Sequence, residues 1–217
     1  MTLVELGGHG RRYRIHDPGS HIGDTIRTGI PYEAVVLQDM YARRVAGAVA
    51  VDAGAHVGNH SLWLAAVCGM RVHAFEPAPA NATRLLDNVL ANPGLPVTVH
   101  RVALGAGPGH ATMTGTPDDI DWGRSPVAYG HGPVDVATLD SYDLDDVAIV
   151  KIDVEGNEPA VLDGALRTLA RCRPVVWAEA QAPDAVPPLA ARLVPLGYHL
   201  TATLRAATPM TRWEPTP

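Results

Sequence analysis

The stretch Val51-Asp52-Ala53-Gly54-Ala55-His56-Val57-Gly58 decides how this chain is read. An apolar run, AVAVDAG (48–54), ends in an acid and a glycine, and a second glycine follows four residues later. Residues 61–68 are then apolar nearly all round, which suits a buried helix. Strand, glycine turn and buried helix together open a parallel α/β sheet. In such sheets ligands bind at the carboxyl ends of the strands, near the point where strand order reverses.

Outward from this unit the alternation continues. RVHAFEP (71–77) reads as a second strand stopped by Pro77, and 79–90 as a helix with Leu85, Leu86, Val89 and Leu90 on one face. Strands are expected at 97–102, 111–114, 134–137, 147–153 and 174–180, and helices at 158–170 and 188–196. YHLTATLRA and PMTRWE suggest an antiparallel pair at the C-terminal end. Between 105 and 133 Gly, Pro, Asp and Ser crowd in, so this stretch is expected to be a long substrate loop or lid. Residues 4–15 suggest a hairpin and 32–45 an amphipathic helix. The expected division is therefore a cap segment, 1–45, and a catalytic-type α/β domain, 46–217, forming one folding unit.

With 217 residues, the chain can bury roughly 70% of the surface that its unfolded form exposes. A net charge of −6 argues against a nucleic-acid polymer or an anionic membrane as partner. The exposed-looking Arg11, Arg12 and Arg14 read as a solvated edge rather than a phosphate site. Cys68 and Cys172 stand alone in apolar stretches, and no apolar run reaches the ~20 residues that span a bilayer, so a cytoplasmic protein with free thiols is expected. A homodimer is compatible with the sequence.

Glu76, 24 residues after Asp52, lies near the spacing at which an acid meets a ribose diol, so the two strand ends describe an adenosine site. Gly54 and Gly58 would open the turn to a ligand, and Asn59, Pro77 and Ala103 flank the same strand ends. A dinucleotide fingerprint, G-x-G-x-x-G, is not formed, because His56 holds the middle position. Asp52 would repel a phosphate and suit a cationic tail, which favours S-adenosylmethionine over a nicotinamide cofactor.

The chain resembles the FkbM-type methyltransferases. The resemblance is carried by VDAGAHVGNHSLWLA, AFEPAPANATRLLDNVLAN, VALG (102–105), ATLDSY (137–142), KIDVEGNEPAVLDGA and PVVWAEAQ, and Tyr32-Glu33 looks like a short upstream motif of such proteins. His56 stands where the family more usually has Asn, and Asp121-Trp122-Gly123 where Asn-x-Gly is expected. The resemblance implies a class I, Rossmann-like fold: a mostly parallel twisted sheet, helices on both faces, and an antiparallel C-terminal strand pair. It also implies O-methylation of a small-molecule hydroxyl, on a sugar, a nucleoside or nucleotide, or another secondary metabolite.

Candidates for the chemistry follow from position. Lys151, Asp153 and Glu155 alternate along one strand end and its loop, and His60 begins the helix after the glycine turn. Asp153 and Glu179 end neighbouring strands and are expected either to share a proton or to hold a divalent cation. The competing view makes Lys151 and these acids a buried, salt-bridged brace. Tyr32, Trp122 and Glu179 are the candidates for the acceptor, while Trp63 and Trp177 read as core. Two other functions stay open at this level: a non-catalytic cofactor-binding protein and a nicotinamide-dependent oxidoreductase.

Overall fold

The computed structural model describes residues 2–17, 19, 21–114 and 127–216. In chain order the elements are β1 (Leu3–Gly8), β2 (Arg11–His16), α1 (His21–Ile26), α2 (Ala34–Ala42), β3 (Val49–Ala53), α3 (Asn59–Ala66), β4 (Arg71–Phe75), α4 (Pro79–Leu90) and β5 (Val97–His100). Then come β6 (Ala103–Leu104), β7 (Gly109–Met113), β8 (Val127–Tyr129), β9 (Val134–Ala137), β10 (Val147–Ile152), α5 (Glu158–Asp163), α6 (Leu166–Cys172) and β11 (Val175–Glu179). The last are α7 (Val186–Leu193), β12 (Tyr198–Arg205) and β13 (Pro209–Pro215).

The main sheet runs β12-β13-β11-β10-β3-β4-β5. Only β13 is reversed, pairing antiparallel with both β11 and β12, and the order turns back between β3 and β10. This is the class I methyltransferase arrangement, with its switch point at the carboxyl ends of β3 and β10. Every residue of β3 is buried because both faces of the sheet are covered. The period of two sends Val49, Val51 and Ala53 into one apolar cluster with α5, α6 and α7, and Ala50 into the other, with α3. Leu6, Tyr13, Ile15, Ile26, Val36, Leu37 and Met40, all N-terminal to the sheet, join that second cluster.

The N-terminal hairpin docks through polar side chains. The Arg14 and His16 N–H groups donate to Asn92 Oδ1 and Asn88 Oδ1, each at 2.7 Å. Asn88 also donates to the Val57 carbonyl at 2.8 Å, tying the hairpin to the glycine turn. Farther along, Asp39 of α2 accepts from Trp177 Nε1 (3.0 Å) and Arg212 (2.6 Å) and pairs with Arg43 (2.8 Å).

The expected elements differ from the structure in four places. The helix expected at 158–170 is two, because the chain closes up at Gly164, where a Cβ would stand 2.0 Å from the Gly105 carbonyl. The strand expected at 97–102 stops at His100, since Ala103 and Leu104 leave to pair with β9. The helix α1 was not expected. The 105–133 stretch is not one long loop: β7 and β8 pair antiparallel and join β9 and β6 in a second sheet. Residues 115–126, with Asp121-Trp122-Gly123, lie outside the described residues. Among the described residues no helix is long and apolar enough to cross a membrane.

Replacing Asp39 with alanine leaves the buried Trp177 N–H without its acceptor. The expected loss is ~2–3 kcal/mol, a melting-temperature fall of roughly 5–10 °C by calorimetry.

Candidate active site

A cavity of about 1160 Å³, measured out to its solvent mouth, opens over the ends of β3, β4 and β10. Gly54, His56, Asn59, Glu76, Pro77 and Ala103 line it on the β3–β4 side. Lys151, Asp153, Glu155 and Glu179 line it on the β10–β11 side, and Tyr32 and His60 complete it from the N-terminal side. Asp52 and Gly58 are not among its lining residues, and Trp122 lies outside the described residues.

Asp52 is fully buried. It faces Lys151 across adjacent parallel strands, in direct register and on the same face, so its Oδ1 lies 3.2 Å from Nζ. Its Oδ2 accepts from Ser61 Oγ at 2.6 Å. Asp52, expected to meet a cationic tail, thus faces Lys151 and Ser61 and does not line the cavity.

Lys151 is equally constrained. Its ammonium also reaches Asp153 at 3.4 Å and donates to the Gly54 carbonyl at 3.2 Å. Burial alone would lower its pKa, but Asp52, Asp153 and Glu33 outweigh burial and hold it above the ordinary lysine value. These contacts make Lys151 a brace between the strand ends.

The glycines also work differently from expectation. Gly54 has φ +78°, and a Cβ there would stand 1.8 Å from the Asp153 carbonyl; at Gly58 it would strike the Leu85 side chain at 2.6 Å. The amides of Gly54 and Ala55 both donate to the Phe75 carbonyl at 3.0 Å, and His56 N–H donates to Glu76 Oε2 at 2.8 Å. These three amides already have protein acceptors, so they form no cradle for a pyrophosphate.

Glu76 is 5% exposed, and its Oε1 accepts from Ala78 N–H at 2.9 Å. Burial pushes its pKa up to about 7 against these two amides. Each oxygen keeps a lone pair for a hydroxyl in the cavity.

The string KIDVEGNE (151–158) now has a physical reading. Lys151 is the buried cation and Asp153, a quarter exposed at its side chain, faces the cavity. Glu155 adopts the left-handed φ +58° and accepts from Gln181 at 2.9 Å. Asn157 donates to the Val127 carbonyl at 3.0 Å, joining the second sheet, and Glu158 Oε1 accepts from Val154 and Gly156 N–H at 3.0 and 3.1 Å. Three non-glycine residues with left-handed backbones, Glu33, His56 and Glu155, all line the cavity.

Glu179 is almost fully buried, and burial followed by repulsion from Asp153 pushes its pKa up to about 7. Lys151 stands 3.4 Å from Asp153, and among the described residues no group of three or more His, Cys, Asp or Glu side chains is arranged to hold a metal.

Glu33, Met113, Val127 and Tyr129 also line the cavity and were not assigned roles from sequence. Glu33 was visible only as the neighbour of Tyr32. The other three come from the 105–133 stretch, whose place over the site rests on pairing across the second sheet.

The profile of the methyltransferase FkbM domain matches residues 52–200, more than half of the chain. The chain belongs to the FkbM methyltransferase family. The FkbM methyltransferase of Methylobacillus flagellatus KT is 20% identical, with a TM-score of 0.59 over 83% of this chain and 51% of that one. This chain thus spans about half of that protein's length. Precorrin-6y C5,15-methyltransferase from Geobacter metallireducens GS-15 is 19% identical, with a TM-score of 0.51 over 83% and 85% of the two chains. TYW2 from M. jannaschii, solved in complex with AdoMet, is 14% identical, with a TM-score of 0.52 over 99% and 87%. At these identities the likeness is one of fold. No curated protein matches the chain.

Two outcomes follow from this geometry. Gly54→Ala drives a methyl into the Asp153 carbonyl in a left-handed backbone, so a melting-temperature fall of several degrees is expected by calorimetry. Native Glu179 binds its proton more tightly than the unfolded chain does, so its stabilising effect is full below the usual carboxyl range and is lost as pH rises through about 7. Glu179→Gln should therefore gain melting temperature relative to the parent between pH 5 and pH 8, read from paired thermal melts.

Proposed function

We propose that this FkbM-family chain transfers a methyl group from S-adenosylmethionine to a hydroxyl oxygen of a small molecule, such as a sugar, a nucleoside or another secondary metabolite. The observation that carries this reading is the acid-rich cavity at the switch point, with Glu76 offering lone pairs beneath it. The donor's ribose hydroxyls fit Glu76, and its adenine fits the apolar wall of Phe75, Pro77, Val102 and Leu104. Its cationic end fits Asp153, which takes the part expected of Asp52. When bound, the donor supplies a methyl group on a sulfonium, open to in-line attack.

Tyr32, Glu179 and Tyr129 surround the space left for the acceptor. Holding the hydroxyl oxygen in line with the methyl can contribute up to roughly 7–11 kcal/mol, so the cavity acts first by alignment. A concave site at the strand ends supports a small-molecule acceptor. The free thiols of Cys68 and Cys172 fit a reducing, cytoplasmic setting.

Calorimetric titration with S-adenosylhomocysteine and, separately, with NAD tests the donor. Binding of the former is expected, and binding of NAD alone would overturn the reading. Glu76→Ala removes hydrogen bonds to a charged acceptor and should weaken binding roughly 10- to 100-fold. Formation of S-adenosylhomocysteine with a panel of hexoses, nucleosides and phenols then separates an enzyme from a protein that only binds the donor. Asp153→Asn should lower kcat/KM for the donor at least about tenfold.

A further inference from the structure

The N-terminal segment meets the start of α3 through two consecutive residues on each side. Asn59 donates to the Tyr32 carbonyl at 2.9 Å and accepts from the Tyr32 N–H at 3.2 Å. The next residue of each segment forms the second rung: Glu33 Oε2 stands 3.3 Å from His60 Nε2. Glu33 reaches this place through a left-handed backbone, φ +56°, at the start of α2, where its own carbonyl accepts from Val36 and Leu37. Both side chains line the cavity, yet they are only 3% and 8% exposed.

We infer that Glu33 and His60 form a dyad in which His60 accepts the proton of the acceptor hydroxyl and Glu33 is its positioning residue. This rests on the oxygen-methylation reading above. Glu33 Oε2 faces Nε2 across 3.3 Å with no hydrogen bond closed between them, and in the dyad the neutral imidazole carries its hydrogen on Nε2 and leaves Nδ1 as the acceptor. Nδ1 makes no hydrogen bond to a described residue. Burial would raise the pKa of Glu33, but the facing His60 and the ammonium of Lys151 pull it below the ordinary value, so Glu33 remains an anion. A buried anion beside the ring stabilises the imidazolium that forms, as an orienting carboxylate does for other histidine bases.

The step balances. The hydroxyl proton passes to Nδ1, and an oxygen lone pair forms the bond to the methyl carbon. The carbon–sulfur bond breaks with its electron pair going to sulfur, so the sulfonium becomes a neutral thioether. The imidazolium then returns its proton to water.

The test joins kinetics to nitrogen NMR of the intact chain, using S-adenosylmethionine and the hydroxyl panel named above. His60→Ala should lower kcat roughly 10²–10⁴-fold with S-adenosylhomocysteine affinity unchanged, and added imidazole should restore part of the loss. Glu33→Gln should lower kcat about tenfold at constant KM, with Glu33→Asp recovering part of it. The imidazole nitrogen spectrum should show the Nε2-protonated form of His60 in the parent and a mixture of forms in Glu33→Gln. If His60→Ala does not fold, Glu33→Gln and the spectrum decide the question. Turnover of His60→Ala within about threefold of the parent overturns the dyad, as does an Nδ1-protonated His60 in the parent. If the parent binds S-adenosylhomocysteine but methylates no hydroxyl in the panel, the oxygen-methylation reading falls and the dyad falls with it.

Discussion

The ammonium of Lys151 is the constraint on which the site depends. It sits almost wholly out of water at the switch point, held by Asp52, Asp153 and the Gly54 carbonyl. A buried charge is tolerated only when partners surround it, and here they come from the two central strands and from the glycine turn. That arrangement fixes the spacing of β3 against β10. It also leaves one cation beneath a cavity lined by Glu33, Glu76, Asp153, Glu155 and Glu179. Without that cation, those carboxylates would repel one another more strongly as the cavity formed.

Around this centre, segments distant in sequence are tied by side chains acting as backbone partners. Asn88 of α4 and Asn92 just beyond it accept from β2 and hold the hairpin against the turn after β3. Asn59 does the same for Tyr32. The cavity wall on that side is therefore not a loose cover: Tyr32 is held by hydrogen bonds to Asn59, Glu33 faces His60 at 3.3 Å, and α1 and α2 share apolar residues with the sheet. On the other side, Asn157 links the loop after β10 to β8.

Much of this fold is legible in the sequence because buried parallel strands and amphipathic helices write their periods locally. The strands β3, β4, β10 and β11 fall where alternation and glycine place them, and α4 is bounded by Pro79 and by Asn92-Pro93-Gly94. What escapes is set by contacts across the chain. Nothing near Asp52 announces that its partner is Lys151, 99 residues later, so its carboxylate looks available to a ligand. Nothing near Gly164 shows that the Gly105 carbonyl will press against it and split a helix. The 105–133 stretch reads as irregular because β7 and β8 are short and find their partners only in a second sheet.

The same distinction explains why glycine motifs alone are poor guides to the ligand. A glycine after a first strand is compatible with a pyrophosphate or with another segment of protein, and only the occupant of the missing Cβ tells them apart. At Gly54 that occupant is the Asp153 carbonyl, and the turn's first amides are engaged by Phe75 and Glu76. An anion therefore finds the amides of Gly54, Ala55 and His56 already engaged. A ligand with hydroxyls for Glu76 and positive charge for Asp153 meets what the strand ends offer. The preference for a cationic nucleoside over a dinucleotide thus follows from how the protein uses its own backbone, with the acid at the end of β3 acting indirectly, through the lysine that it holds in place.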